Sequence, residues 1–303
     1  MLIGNHTVGA DAPAYLVAEI GGNHNGSLET AKALITRAWN CGADAVKFQK
    51  RDPDICVPEH VKDQMRDTPW GTMRYLDYRH RMEFGQADYE EIAATCRRLQ
   101  LDWFASVWDT ASVGFMEQFK PPCYKIPSPC VTDWALLEAV KDTERPVILG
   151  LGMSTGIEIT DALWVLDPGW ASEIVVSQTT SAYPTEPCEA NLAVIREYRQ
   201  NSSRLIPGYS GHDVGYALTL AAVALGAKYI ERHFTLDKKQ WGSDHSISVT
   251  PDEFTAMRQD VRDIESAMGD GVKRVYPSEM RAMDKLRRYR TPEMVGAPTW
   301  PMS

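Results

Sequence analysis

Eight short apolar runs recur along the chain, and segments of helical character follow them. The runs span residues 15–20, 43–48, 103–107, 124–126, 146–151, 173–177, 205–209 and 228–234. Helical periodicity is clearest at 27–40, 87–99, 134–141, 191–199, 215–226 and 251–268. Nearly continuous apolar strands that alternate with helices are typical of a parallel sheet covered on both faces. Eight such units predict an α/β fold, the (β/α)8 or TIM barrel, rather than an open doubly wound sheet.

The chain shows no linker and no break in composition, so we expect a single domain. The barrel, with a short N-terminal extension and a C-terminal helix, is predicted to occupy residues 1–290, and a proline-rich tail 291–303. The basic segment 277–289 is predicted to form the last helix. The long connection at 50–84 is predicted to be either a lid over a site or a surface excursion with a short helix of its own.

The acidic balance of the chain argues against two classes of partner. A net charge of -9 and a pI near 5.3 oppose contact with nucleic acid or an anionic membrane surface, although a locally positive pocket could still bind a small anion. No apolar stretch approaches the roughly 18 residues that a membrane span needs, and the first residues lack the features of a signal peptide. Six cysteines without a C-x-x-C pair predict reduced thiols, and we expect a cytoplasmic protein.

Two histidines end adjacent predicted strands. His212 closes the run 204–212, and His233 closes the run 228–233. The apolar helix between them has the length needed to return the chain across a parallel sheet, so both imidazoles should lie at one end of neighbouring strands. This arrangement predicts a divalent metal at the mouth of the barrel. A single histidine at such a position is more often structural, so the prediction depends on the pair.

Polar side chains stand at the carboxyl ends of the predicted strands, where reactive groups of such barrels collect. Lys47 and Lys125 lie inside strands, where a buried ammonium needs a partner. With nearby serines they predict a cradle for a phosphate, or else each forms a buried ion pair with Glu19 or Glu231. Strand alternation places Glu231 on the side of His233, either near the metal or beside a lysine. The other polar residues at strand ends are Gln49, Ser106, Ser128, Gln178, Thr179, Thr180, Ser181 and Ser210.

Two loops add further candidates. The glycine-rich segment 21–26 does not match the G-x-G-x-x-G phosphate-binding pattern, and its glycines more simply permit a tight turn with Ser27 as the helix N-cap. Asn23 and His24 on this loop are expected to reach the mouth of the barrel. Asp244 and His245 lie on the loop beyond the eighth strand, which is predicted to return to the metal or the substrate.

Seven separated motifs, in order from residue 15 to about 290, resemble the sialic acid synthase family. They are Ala18-Glu-Ile-Gly-Gly-Asn-His-Asn-Gly26, Ala45-Val-Lys-Phe-Gln49, Tyr124-Lys-Ile126, Gly152-Met153, Ala182-Tyr-Pro-Thr185, Tyr209-Ser-Gly-His212 and Ile230-Glu-Arg-His-Phe-Thr235 followed by Asp244-His-Ser246. The resemblance implies a (β/α)8 barrel. It also implies a transferase that condenses phosphoenolpyruvate with a sugar aldehyde, using a divalent metal such as Mn²⁺ or Mg²⁺, to give a 2-keto-3-deoxy acid and phosphate.

The resemblance also assigns roles by position. His212 and His233 would bind the metal, and Glu19 would position a water near it. The residues that would hold phosphoenolpyruvate are Lys47, Lys125, Ser128 and Ser210, with Ser106 standing where the family has a threonine. The residues that correspond to contacts with the acceptor sugar are Gln49, Tyr183 and Asp244, and Ser181 stands where the family has an asparagine.

The sequence departs from the family mainly on the acceptor side. Lys125-Ile-Pro-Ser-Pro-Cys130 replaces Lys-Ile-Gly-Ser-Gly-Glu, so a thiol stands in place of a carboxylate that binds sugar hydroxyls. Gly150 replaces a serine of the phosphate site, and the resemblance ends without the small C-terminal antifreeze-like domain. We therefore expect a homo-oligomer that condenses phosphoenolpyruvate with a sugar or sugar-like aldehyde. The departures disfavour N-acetylmannosamine, and the alternative is the same chemistry on another acceptor, such as a pentose, hexose or nucleoside aldehyde. The alternative outside catalysis is a barrel that binds a sugar phosphate without turning it over.

Overall fold

Eight parallel strands close into a barrel in the order in which they occur along the chain. The computed structural model describes residues 1–169 and 172–288. The barrel strands are Tyr15–Glu19, Ala45–Lys50, Asp102–Val107, Tyr124–Ile126, Val147–Gly150, Ile174–Gln178, Leu205–Gly211 and Tyr229–His233. Because helices on the outside return the chain between successive strands, every neighbouring pair is parallel. The predicted (β/α)8 barrel is confirmed.

The seventh and eighth strands determine where the two histidines lie. Ser210 pairs with Glu231 in the parallel register, and the next residues, Gly211 and Arg232, also pair. The seventh strand runs to Gly211, two residues beyond its predicted end, so that His212 follows it directly. His233 is the last residue of the eighth strand. The two imidazoles consequently leave the barrel at the same level.

Helices cover the outside of the barrel. Their bounds are Leu28–Asn40, Gln86–Leu99, Thr110–Glu117, Trp134–Lys141, Gly156–Leu166, Val194–Asn201, Ala217–Ala224, Pro251–Met268 and Met280–Leu286. Ser27 caps the first of these, because its hydroxyl accepts from the Thr30 amide at 3.2 Å, as predicted. The helix predicted to begin at Asn191 begins instead at Val194, since Asn191 has a φ of 44°, outside the right-handed helical region.

The connection at 50–84 has secondary structure of its own. It contains the short helices Pro53–Cys56 and Glu59–Lys62, a hairpin of Met65–Thr68 and Gly71–Arg74, and the helix Tyr75–Met82. This last helix, called here the lid helix, packs Tyr78 edge-on against Trp241, with ring centroids 5.4 Å apart. Trp241 belongs to the loop after the eighth strand. The connection is therefore a structured excursion that reaches across the mouth of the barrel.

Two apolar cores hold the fold together. The larger one lies between the strands and the helices, and the smaller one fills the lower part of the barrel interior. A hairpin of Leu2–Ile3 and His6–Thr7 lies below the smaller core, where Ile3 and Val8 are fully buried. Phe104 and Tyr229 also belong to this core. The interior is thus a packed floor beneath the polar mouth.

The last described element is shorter than predicted. A turn of 3-10 helix at Pro277–Glu279 leads into the helix Met280–Leu286, while the end of the predicted helix at 289 and the tail 291–303 lie outside the described residues. In the described part of the chain, no helix has the length and apolar character needed to cross a membrane.

Candidate active site

A cavity of about 260 Å³ opens at the carboxyl ends of the strands. Every residue to which the family resemblance assigns a role lines this cavity, except Asp244. Asp244 lies close by, with its Oδ2 atom 3.8 Å from Nδ1 of His233. The structure therefore brings together side chains from all parts of the barrel, as expected when strand ends converge.

Two lysines and two glutamates form a buried cluster on the floor of the cavity. Nζ of Lys47 lies 2.7 Å from Oε2 of Glu19 and 3.6 Å from Oε1 of Glu231. Nζ of Lys125 lies 3.2 Å from Oε2 of Glu231. Since these four side chains are at most 7% exposed, all three ion pairs stand in a low-dielectric environment. The ion pairs expected for the two lysines are therefore present, and Glu231 is a partner of both lysines, while the phosphate cradle stays a prediction.

Hydroxyl groups complete the surroundings of the cluster. Ser106 accepts a hydrogen bond from Lys47 at 2.7 Å, and Ser210 donates to Glu231 at 3.0 Å. The hydroxyl of Tyr229 also donates to Glu231 from below. These groups fix the rotamers of the charged side chains. The cluster is consequently preorganised to meet an anion that enters from the mouth.

The ionisation of the cluster is uneven. Burial lowers the pKa of Lys125, and its pairing with Glu231 only partly offsets this effect. Burial opposes the charged form of Lys47 as well, yet the adjacent carboxylates of Glu19 and Glu231 hold its pKa above the usual value. Burial raises the pKa of Glu19, and the charge of Lys47 offsets only part of this effect. Burial would also raise the pKa of Glu231, but the charges of Lys125 and Lys47 outweigh it and lower that pKa. Lys125 is thus the ammonium that gains most from an additional anion.

The two imidazoles face each other across one side of the cavity. The ring centroids of His212 and His233 are 5.5 Å apart, and Tyr183 stacks on His212 at 4.1 Å. Nδ1 of His212 lies 2.8 Å from the carbonyl oxygen of Thr180. Because a carbonyl oxygen can only accept, Nδ1 carries the proton and Nε2 keeps its lone pair. Burial, together with the charge of His233, lowers the pKa of His212 to about 3, so this imidazole is neutral near pH 7.

The donor set fits a divalent metal that shares its coordination with substrate and water. Nδ1 of His233 is buried and has no hydrogen-bond partner among the residues that the structure describes, and the fixed tautomer of His212 offers a second nitrogen lone pair. Across residues 1–169 and 172–288, no three His, Cys, Asp or Glu side chains converge on a metal-sized point. His212 and His233 are the residues that would hold such an ion.

The loop after the fifth strand contacts the serines of the site closely. The amide of Gly152 donates to Oγ of Ser128 at 3.0 Å. A Cβ atom at Gly152 would lie 2.3 Å from Oγ of Ser181, so no larger side chain fits without displacing these hydroxyls. Gly150 is also tight, since a Cβ atom there would lie 3.2 Å from Cε of Lys125.

A second cavity adjoins the first through Gln49, which lines both. Gln49 donates to Oε1 of Glu19 at 2.9 Å and accepts from Arg51. Asp244 and Asn23 line this second cavity, and so does His24, which was expected at the mouth of the barrel. His24 stacks on Phe84 with ring centroids 4.1 Å apart. This side of the mouth extends beneath the lid helix.

Two residues singled out in the sequence, His245 and Cys130, do not line the cavity. His245 is buried and hydrogen-bonded to Thr235 at 2.7 Å, which gives it a structural role in its loop. Cys130, which replaces the family's glutamate, is 6% exposed and points its thiol at the carbonyl of Trp108, 3.7 Å away. It does not line the cavity. The thiol therefore takes no part in the polar surface that a sugar would meet.

Reasoning from the sequence missed Arg51, Arg79 and Trp108. The guanidinium of Arg51 lies 3.9 Å above the ring of Trp108, and both residues directly follow barrel strands, so their positions carried a usable signal. Arg79 lies on the lid helix and lines the second cavity. No pattern in the sequence relates the lid helix to the barrel, so Arg79 could not be placed without the structure.

Known proteins resemble this chain over most of its length. The model of the NeuB family matches residues 34–273. N-acetylneuraminate-9-phosphate synthase from Mus musculus is 35% identical over 281 residues, which cover 92% of this chain and 78% of that protein. N,N'-diacetyllegionaminic acid synthase from Campylobacter jejuni is 34% identical over 278 residues, covering 90% and 83%.

Solved structures are also similar to this chain over most of its length. The N-acetylneuraminic acid synthetase of Leptospira borgpetersenii, in complex with citrate, superposes with a TM-score of 0.84 at 27% identity and covers 95% of this chain and 98% of that one. A truncated 3-deoxy-D-arabino-heptulosonate 7-phosphate synthase from Thermotoga maritima has a TM-score of 0.67 at 14% identity, covers 89% and 92%, and shares the fold alone. With the family model matching most of the barrel, this chain belongs to the NeuB family, which confirms its resemblance to the sialic acid synthases.

Proposed function

We propose that this protein is a carbon–carbon bond-forming transferase that condenses phosphoenolpyruvate with an aldehyde sugar. The products would be a 2-keto-3-deoxy acid and inorganic phosphate. The observation that carries the proposal is the pair of buried ammonium groups, Lys47 and Lys125, bracketing Glu231 beside the imidazoles of His212 and His233. Membership of the NeuB family and relatives named as synthases of sialic, legionaminic and pseudaminic acids support it.

Phosphoenolpyruvate would bind above the lysine and glutamate cluster. Lys47 and Lys125 would meet its anionic groups, and the hydroxyls lining the cavity would donate hydrogen bonds to its oxygens. These hydroxyls belong to Ser106, Ser128, Ser181 and Ser210. The lowered pKa of Lys125, caused by burial, supports this placement because an incoming phosphate restores the charged form.

The acceptor aldehyde would lie on the side of Gln49, Tyr183 and Asp244. In the first step, carbon 3 of phosphoenolpyruvate forms a bond to the aldehyde carbon, and the aldehyde oxygen takes up a proton. A divalent ion, Mn²⁺ or Mg²⁺, held by His212 and His233 would polarise that oxygen as a Lewis acid when bound. Tyr183 stacks on His212 and would keep bulk water from the reacting face.

Glu19 would serve the hydrolytic half of the reaction. Water adds to the cationic carbon 2 and gives up one proton to Glu19, which balances the proton taken up by the aldehyde oxygen. When the carbon–oxygen bond to phosphate then breaks, the remaining hydroxyl proton passes to the leaving phosphate and the 2-keto acid forms. Burial raises the pKa of Glu19 toward the range of an effective general base, and its bonds to Lys47 and Gln49 fix its position. The proton therefore has an acceptor at the floor of the cavity.

Two further proposals concern the setting of the enzyme. All six cysteines are free thiols, which supports a cytoplasmic location. Trp134, Ile157 and Trp164 lie on two packed neighbouring helices and are 59%, 76% and 59% exposed, which supports a homo-oligomer. Analytical ultracentrifugation of the full chain, with a Trp164→Glu variant beside it, would test the second of these.

The reaction itself can be tested with the purified full chain. After treatment with a chelator, it is given phosphoenolpyruvate and a panel of aldehyde sugars, with and without Mn²⁺ or Mg²⁺. We expect phosphate and a 2-keto acid to appear in equal amounts only when both substrates and the ion are present. Phosphate release without consumption of any aldehyde, or no release across the panel, would contradict the proposal.

A further inference from the structure

Thr185 lies on the loop after the sixth strand and lines neither of the two cavities at the mouth of the barrel. It closes the segment Ala182-Tyr-Pro-Thr185, in which Tyr183 lines the first cavity and stacks on His212 with ring centroids 4.1 Å apart. Thr185 itself is buried, with an exposed fraction of 4%. Because a buried side chain outside both cavities cannot touch a substrate, any role of Thr185 in the reaction must act through its neighbours.

Hydrogen bonds from Thr185 enclose the contact between His212 and Thr180. The amide of Thr185 donates to the carbonyl oxygen of His212 at 3.0 Å. Its hydroxyl lies 3.1 Å from the carbonyl oxygen of Thr180 and 3.0 Å from that of Ala182, so these two carbonyls share its one proton. The oxygen of Thr180 is also the atom that accepts from Nδ1 of His212 at 2.8 Å. Thr185, Thr180 and His212 thus form a closed ring of hydrogen bonds.

This ring of hydrogen bonds connects two segments beyond the ends of their strands. The parallel pairing of the sixth and seventh strands ends at Gln178 and Tyr209, so Thr180 and His212 both stand past the last paired position. Contacts outside the sheet must therefore determine how these two residues lie relative to each other. A β-branched side chain such as that of Thr185 has few rotamers, which suits it to form a fixed bridge at this point.

The tautomer of His212 depends on where the carbonyl group of Thr180 lies. A metal-binding histidine usually donates its other ring N–H to a fixed acceptor, and this bond determines both the tautomer and the orientation of the ring. A bond from Thr185 to Ala182 alone would be an ordinary turn contact of a threonine side chain, with consequences for stability only. The other two bonds of Thr185 instead reach the backbone of His212 and the acceptor of its ring proton.

We infer that Thr185 is a positioning residue of the active site. It holds the carbonyl group of Thr180 against Nδ1 of His212, and it thereby keeps the Nε2 lone pair of His212 available to a divalent ion. The inference rests on the proposed function, since the ion belongs to the same site. Because Thr185 supplies no ligand of its own, its loss should weaken ion binding and should not abolish it.

Two substitutions separate the hydroxyl group of Thr185 from the shape of its side chain. Thr185→Val keeps the branched shape and loses the hydroxyl, whereas Thr185→Ser keeps the hydroxyl and loses a methyl group. The first readout is heteronuclear NMR of the histidine rings in the full chain without added ion. We expect the proton on Nδ1 of His212 to exchange with water about 3- to 10-fold faster in Thr185→Val, the effect of one lost hydrogen bond, and at the unmodified rate in Thr185→Ser.

The second readout is the affinity for Mn²⁺, measured by electron paramagnetic resonance. Thr185→Val should bind the ion about 10-fold more weakly, at the lower end of the range for loss of an outer partner of a ligand, because Thr185 acts through Thr180. Thr143→Val is the matched control, since the hydroxyl of Thr143 donates to the carbonyl oxygen of Val140 at 2.7 Å, outside both cavities. This control should bind Mn²⁺ as the unmodified protein does.

Three outcomes would overturn the inference. In the first, Thr185→Val exchanges the Nδ1 proton of His212 and binds Mn²⁺ as the unmodified protein does. In the second, Thr185→Ser loses as much Mn²⁺ affinity as Thr185→Val, and in the third the unmodified protein binds no Mn²⁺. Should Thr185→Val fail to fold, Thr185→Ala carries the same expectations. Absence of phosphate release from every aldehyde is a different result, because it refutes the proposed condensation while both readouts of the role of Thr185 remain measurable.

Discussion

Lys125 and Glu231 form an ion pair that crosses the interior of the barrel from the fourth strand to the eighth, with Nζ 3.2 Å from Oε2. Glu231 also lies 3.6 Å from Lys47, so one carboxylate holds two ammonium groups in place. The relationship explains how lysines can stand inside apolar strands. It also makes Glu231 the residue on which the charge balance of the site depends.

Replacement of Glu231 by Gln is expected to destabilise the fold and to abolish activity. The amide keeps the shape of the side chain but leaves Lys47 and Lys125 without the carboxylate they share, and breaking a buried ion pair costs about 3 to 5 kcal/mol. Urea unfolding at pH 7 measures the change in the free energy of unfolding. As a control, Glu59→Gln removes the exposed ion pair with Lys62 and should leave that free energy unchanged. Equal stability of the two variants would contradict the assigned role of Glu231.

The His233→Ala variant is expected to lose Mn²⁺ binding along with ion-dependent phosphate release. Removal of a direct ligand should weaken affinity by more than the roughly 10- to 100-fold lost when an outer partner of a ligand is mutated. Electron paramagnetic resonance of free Mn²⁺ gives the affinity independently of activity. His60→Ala, which alters an exposed histidine far from the cavity, is the matched control. Undiminished Mn²⁺ binding by the His233 variant would remove the metal assignment.

The protein should become less stable as the pH falls below about 6.5, because of His24. Burial, and after it the charge of Arg79, lowers its folded-state pKa to about 3, and its Nδ1 accepts from the amide of Gly26 at 3.0 Å. Between the unfolded value near 6.5 and about 3, the unfolded chain binds a proton that the folded protein does not. The contribution of neutral His24 to the free energy of unfolding is therefore fully present above pH 6.5, and it declines by about 1.4 kcal/mol per pH unit below that value. Unfolding at pH 7, 6 and 5 should show a shallower decline for His24→Asn, and identical slopes would refute the prediction.

Gly152→Ala is expected to raise the KM for phosphoenolpyruvate and to destabilise the protein by about 1 to 3 kcal/mol. The new methyl group would lie within 3.0 Å of Ser181, Ser128 and Thr179, so all three neighbours must shift. Gly156→Ala, at the start of the next helix with open space around it, should instead be neutral or stabilising by up to about 1 kcal/mol. Steady-state kinetics and thermal unfolding of both variants make the comparison. A Gly152→Ala protein with normal KM would show that the serines tolerate displacement.

The sequence predicts the barrel well because a strand buried on both faces has an unmistakable apolar run. It also predicts which strand ends carry the reactive groups, since period-2 alternation determines the face on which a side chain lies. Alternation does not determine a partner across the barrel, which is why Glu231 could not be assigned to the lysines in advance. The helices Thr110–Glu117 and Gly156–Leu166 were expected only from the alternation of strands and helices, without predicted bounds.

Residues on connections were harder to place than those on strands. Arg79 and His24 owe their positions to the way in which the connection at 50–84 folds over the mouth, and this depends on contacts such as that of Tyr78 with Trp241. Such contacts join segments far apart in the chain. No local pattern encodes them, so the second cavity emerged only from the structure.

The amino-terminal hairpin seals the barrel from the end opposite the chemistry. Tyr229 packs in the core above this hairpin and reaches Glu231 with its hydroxyl. Deleting the first fourteen residues would expose that ring to water and raise the local dielectric beneath the ammonium groups of Lys47 and Lys125. The amino-terminal hairpin therefore helps to keep the dielectric low beneath the lysine and glutamate cluster. A change at this end of the barrel would alter the charge interactions at the other end.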